Sequence, residues 1–128
     1  MNATLPIPQL HHEYTIWIQE LNFYKEELSL YVHNLALLLR NTYDRSITTQ
    51  AEQYQNQFIR QKEVIDELKH RLGISERQLK AFVLQVQGMG LSSIKMDNHP
   101  NLRTDMQTFR KLYTDLKKAY RKFEVSCA

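Results

Sequence analysis

One cysteine, three glycines and three prolines in 128 residues leave several kinds of protein without their building material. A single thiol excludes an internal disulfide framework and any multi-cysteine metal site. So few glycines and prolines argue against long disordered linkers and turn-rich all-β folds. A membrane span is missing too: the greasiest run, Leu28 to Leu39, contains His33 and Asn34 and is about one third too short for a bilayer. Met1 to Leu10 has neither a basic stretch nor an apolar core of the kind that marks a secretory signal. The expectation is a soluble, reducing, cytoplasmic setting. There the Asn2-Ala3-Thr4 sequon is irrelevant and Cys127 is a free thiol in a frayed tail.

Charge of one sign is scarce overall, with 17 basic against 14 acidic residues, but it is unevenly placed. Residues 101–128 hold 7 basic and 3 acidic residues, whereas residues 1–100 hold 10 and 11. The length suits one domain, 1–128, with a real core. Its extended lead-in is 1–8, and its frayed tail is 124–128.

What the chain does have is apolar residues alternating at spacings of four and three, the seam of long amphipathic helices. The first series is Leu10, Tyr14, Trp17, Leu21, Tyr24, Leu28, Tyr31, Leu35 and Leu38, which predicts a helix over about 9–43 behind Pro6 and Pro8. The second is Ile47, Ala51, Tyr54, Phe58, Gln61, Ile65, Leu68 and Leu72. Thr49 and Glu52 form a capping-box pattern at its start, and Gly73 is placed to end it in the left-handed conformation. Ser75 and Gln78 repeat the capping pattern before a third seam through Leu79, Phe82 or Val83, Val86 and Met89, where it blurs. That segment is read as bending at Gly88 and Gly90 and continuing to about 96, because a stop at 87 leaves a long structureless connection. Pro100 opens the last series, Leu102, Met106, Phe109, Tyr113, Leu116, Tyr120 and Phe123.

Four such helices with short links predict an all-α, antiparallel up-down four-helix bundle with an overlong first helix. The alternative is a three-helix core with a loose third segment. With the first turn near Arg45, residue i lies opposite about 91 − i in the first pair. Helix 1, about 50 Å long against about 36 Å for helix 2, then overhangs its neighbour at residues 10–18. That overhang leaves Trp17 to be covered by the tail, by a fold-back or by another chain.

Two surfaces are candidates for function. Calling Leu21, Leu28 and Leu35 position a of a heptad puts Ile16, Phe23, Leu30 and Leu37 at c, a second apolar stripe outside the seam. Either helix 1 is central and touches two neighbours, or the stripe, with Trp17, is a homo-oligomer or protein-partner interface. The last helix carries a basic face of Arg103, Arg110, Lys111, Lys117, Lys118 and Arg121, with Lys122 at its edge. Such a face could attract nucleic acid through phosphate contacts, but the aromatics that would stack on bases sit on the seam. Glu13, Glu20 and Glu27 at g share the seven-residue spacing of Arg103, Arg110 and Lys117 at e. In an antiparallel pair g faces g, so the two rows would meet only in a parallel contact between chains.

Catalytic constellations do not emerge. A di-metal bundle core needs inward Glu-x-x-His pairs on two helices; Glu67 and His70 make one, at solvent-facing positions c and f. His11, His12 and Glu13 offer at most an adventitious metal site. Gly88-Met89-Gly90 lacks the lysine and third glycine of a phosphate loop. The expected function is a non-catalytic helical interaction or oligomerisation module without a cofactor. Nucleic-acid association through the basic face is the alternative, and a metal- or small-molecule-binding bundle comes third.

Overall fold

The computed structural model describes residues 4–127, so Asn2 of the sequon lies outside the described residues. The protein is all-α with three long helices rather than four: α1 (Ile7–Arg40), α2 (Arg45–Gln85) and α3 (His99–Ser126). Two-residue strands β1 (Leu5–Pro6) and β2 (Ser93–Ile94) pair antiparallel, with Leu5 opposite Ile94 and Pro6 opposite Ser93. Among the described residues no helix is long and apolar enough to cross a membrane.

The lost helix boundary is the one expected at Gly73. Among the described residues only Gly88 and Gly90 take positive φ, at 84° and 75°; Gly73 stays helical, and α2 runs through it as one 41-residue rod. Its buried side follows Ile65, Leu68, Leu72, Ser75 and Leu79 without a change of phase. Burial of that face offsets the roughly 1 kcal/mol that glycine costs within a helix. The third segment is therefore the second half of α2. Ser75 is not a cap but a fully buried side chain whose Oγ accepts a 2.5 Å hydrogen bond from Asn98 Nδ2.

Other boundaries move as well. Asp44, not Thr49, caps α2, its Oδ1 accepting from the Ser46 and Ile47 amides. α2 stops at Gln85 instead of bending onward to about 96, because the left-handed glycines that follow cannot continue a right-handed helix. The connection over 86–98 is held by the β1–β2 pairing and by the Ile7 amide donating to Ser92 carbonyl at 3.0 Å. α1 begins at Ile7, with Pro8 in the first turn where a missing N–H costs nothing. α3 holds to Ser126 instead of fraying from 124; the amide of half-buried Cys127 donates to the Phe123 and Glu124 carbonyls.

Three helices in up-down order put α1 and α2 antiparallel, α2 and α3 antiparallel, and α1 and α3 parallel. Lys25 Nζ meets Asp66 Oδ1 at 2.6 Å, on the register expected for the first pair. Arg71 Nη2 meets Asp105 Oδ2 at 2.7 Å in the α2–α3 pair. The core follows all three seams, from Leu10 and Leu79 at one end to Leu35, Ala51 and Phe123 at the other. Its middle is aromatic: Tyr24 packs on Phe109 and Tyr113, and Tyr31, Tyr54, Phe58 and Tyr120 form a mutual cluster. Edge-on and tilted ring pairs of this kind add to the burial energy.

Candidate interaction site

α1 presents two outward rows beside its buried seam, and the structure treats them differently. The acidic row is consumed within the chain. Glu13 meets Arg103, Glu20 meets Arg110 and Glu27 meets Lys117, each pair separated by 90 residues. Arg110 is bidentate, Nε to Oε2 at 2.5 Å and Nη2 to Oε1 at 2.9 Å. This is the g-to-e pairing of a parallel coiled coil. The parallel contact expected between chains exists inside one chain, because a three-helix count turns α3 to run with α1.

Two rungs of the ladder are part-buried, so solvent and salt screen them less than fully exposed ion pairs of the same spacing. Burial alone would raise the Glu27 pKa. Tyr113 Oη donates to Glu27 Oε1 and Lys117 Nζ donates to Oε2 at 2.9 Å, and these bonds hold the carboxyl below its ordinary value. Burial, and then the hydrogen bond and charge of Glu27, push the Tyr113 hydroxyl upward, so it remains a neutral donor. The hydrogen bond to Glu20 raises Arg110. Reversing one charge, as Glu20→Arg or Arg110→Glu, should destabilise the fold, and the double reversal should recover part of the loss. The expected coupling is about 1 kcal/mol. Urea unfolding of the four proteins checks it, and zero coupling contradicts a parallel α1–α3 pair.

At the open end of this ladder lies a polar cluster that sequence reasoning missed. His99, 3% exposed, stacks on Trp17 with ring centroids 5.3 Å apart and meets Tyr14 edge-on at the same separation. Its Nε2 lies 2.9 Å from Glu13 Oε2 and 3.4 Å from Arg103 Nη2. Glu13 accepts from Arg103 and Gln9; those bonds and the nearby positive charges outweigh the upward pull of burial and lower its pKa. Burial, then the charge of Glu13, pushes the Tyr14 hydroxyl up to about 12. Among the described residues, Tyr14 Oη and His99 Nδ1 are buried without a hydrogen-bond partner, as is Gln61 Oε1. A signal was present: His99 stands seven residues before Met106, on the seam of α3.

Trp17 leaves the candidate interface. It is 6% exposed, and the overhang that was to strand it does not exist, since α2 continues past Gly73 alongside it. The second stripe remains open. Ile16, Phe23, Leu30 and Leu37 are 42%, 58%, 64% and 42% exposed. They rise about 32 Å along α1, on the flank away from Lys25, which meets Asp66 of α2. α1 does touch two neighbours, but through its a, d, e and g positions, and c is left over.

The basic face is divided. Arg103, Arg110 and Lys117 are committed to the ladder. Among the described residues Lys111, Lys118 and Arg121 have no ion-pair partner, and Lys122 stands exposed beside them. Glu67 and His70 are exposed on α2, and among the described residues no three His, Cys, Asp or Glu side chains gather as a metal site would require. No protein family, curated protein or solved structure matches the chain.

Proposed function

We propose that this protein is a helical dimerisation module, with the stripe Ile16, Phe23, Leu30 and Leu37 of α1 as its contact and a second copy of the chain as the occupant. The observation that carries the reading is this row of four half-exposed large apolar side chains at constant seven-residue spacing on an otherwise satisfied helix. A row of constant seven-residue spacing drifts only about 20° per heptad around a helix, a drift that winding around a second helix absorbs, so the surface that matches it is another helix. A second α1 supplies one. About a two-fold axis crossing between Phe23 and Leu30, Ile16 falls opposite Leu37 and Phe23 opposite Leu30, so every member meets an apolar partner. Such self-complementarity is the requirement of a two-fold interface, the commonest symmetry among soluble oligomers. Left in water, the same row is an aggregation liability.

The basic face supports nucleic-acid binding less well, because half of its six cations are answered by glutamates of the same chain. Leu30→Glu places a charge at the centre of the stripe on a side chain that the fold does not bury. Light scattering on a size-exclusion column should give a dimer mass for the wild type and a monomer mass for the variant, with unchanged helical circular dichroism. A wild type that stays monomeric at 100-micromolar concentration (about 8 kcal/mol of association covers the micromolar range) overturns the reading, as does a variant of unchanged mass.

A further inference from the structure

The cluster around His99 is more than packing. His99 opens α3 directly after the 86–98 connection. It contacts Glu13 and Trp17 on α1 and Arg103 on its own helix, and its amide donates to the carbonyl of Met96, near the end of the connection, at 3.1 Å. Beyond these, the connection is secured by the two-residue β1–β2 pairing, the Ile7–Ser92 bond and the Asn98–Ser75 bond. Ile94 adds a buried side chain and Met96 packs against the core, but the segment has no helical ladder of its own, the kind of unit that can open separately from long helices.

The tautomer follows from the neighbours. Glu13 is an acceptor, so Nε2 carries the proton and donates to Oε2 at 2.9 Å. Nδ1 is then an unprotonated acceptor, buried without a partner among the described residues. Adding a proton creates a buried N–H with nothing to receive it. It also places a cation beside Arg103 at the positive end of α3. The carboxylate of Glu13 and the face of Trp17 favour the imidazolium. Burial, Arg103, the helix end and the stranded Nδ1–H oppose it.

We propose that His99 is a proton-operated latch. Neutral, it holds the 86–98 connection and the first turn of α3 against α1; protonated, it releases them while the long helices stay packed. The direction agrees with the electrostatics: burial, ahead of the pull of Glu13, holds the His99 pKa below its ordinary 6.5. A folded-state value below the unfolded one means that the contribution of His99 is complete above pH 6.5 and is lost as pH falls through the folded value. Glu13, lowered from 4.5, stays a carboxylate through that window.

Trp17 is the sole tryptophan and lies against the ring, so its emission reports the latch. Titrated from pH 8 to pH 4.5, the full-length protein should show one emission change with a midpoint below 6.5. Far-ultraviolet circular dichroism should hold constant, and amide exchange, corrected for pH, should speed up at Ile7 and His99 but not at the centre of α2. Glu13→Gln removes what steadies the charged ring in the latched state and should raise the midpoint of release; Arg103→Gln removes a charge that opposes the imidazolium there and should lower it. His99→Phe keeps a ring against Trp17 and should abolish the change. A transition that survives in His99→Phe, a midpoint at or above 6.5, midpoints that move the opposite way, or helix loss coincident with the emission change each overturn the latch.

Discussion

Ile74→Pro is expected to destabilise the protein by about 3 kcal/mol or more. Ile74 sits inside α2, where its amide belongs to the i→i−4 ladder and a pyrrolidine ring would press on the carbonyl of His70. The neighbouring Gly73→Ala should act in the opposite sense and stabilise by about 0.5–1 kcal/mol. Gly73 has no positive φ, and a Cβ there meets only Arg77 Nη1, at 3.8 Å, an ordinary contact. The pair is diagnostic. If the chain broke at Gly73, proline just ahead of a Ser75 cap would be nearly neutral, and alanine in a left-handed position would be destabilising. Urea midpoints of the two variants decide between one long helix and two short ones.

Trp17→Ala is expected to cost about 3–5 kcal/mol. The indole is 6% exposed, packs edge-on against Tyr14 and covers His99, so its removal empties a core site and uncovers the buried imidazole. A tryptophan waiting for a partner chain would instead leave the stability of the isolated protein almost unchanged. Thermal unfolding followed by circular dichroism, which does not depend on the lost fluorophore, separates the two. The same measurement on Leu30→Glu, at a dilution where the wild type is also monomeric, should show a change within about 0.5 kcal/mol, since Leu30 is 64% exposed.

Much of the fold was legible, because helical seams are written locally. Each four-three series marked side chains that lie on the inner face: Leu21, Leu28 and Leu35 of α1, Phe58, Ile65 and Leu72 of α2, and Met106, Tyr113 and Tyr120 of α3 are all buried. The α1–α2 register was legible too, and Lys25 faces Asp66 on it. What misled was punctuation. Gly73 with Ser75 and Gln78 looks like a stop followed by a start, yet Leu72 and Leu79 are seven apart, so the seam crosses Gly73 without slipping. Phase continuity was the better evidence, since burial of a continuous face outweighs one glycine and the caps are only local. At Gly88 and Gly90 the balance reverses. There the flanking residues Leu84, Met89 and Leu91 are exposed, no buried face carries the helix onward, and the glycines end it.

That single miscount propagated into the candidate site. An up-down bundle of four helices makes its first and last helices antiparallel; one of three makes them parallel. The rows Glu13, Glu20, Glu27 and Arg103, Arg110, Lys117 were visible as matching sets, but whether they meet within a chain or between chains depends on that parity, which no local pattern encodes. The fate of Trp17 hung on the same number, because only an uninterrupted α2 reaches far enough to help enclose it. By itself the sequence determined the class of structure, the inner face of each helix and the existence of a spare apolar row on α1, since each follows from side-chain period alone. Only the tertiary structure decided the number and direction of the helices, the burial of Trp17 beside His99 and the pairing of the charge ladder, because each depends on which distant segments lie side by side.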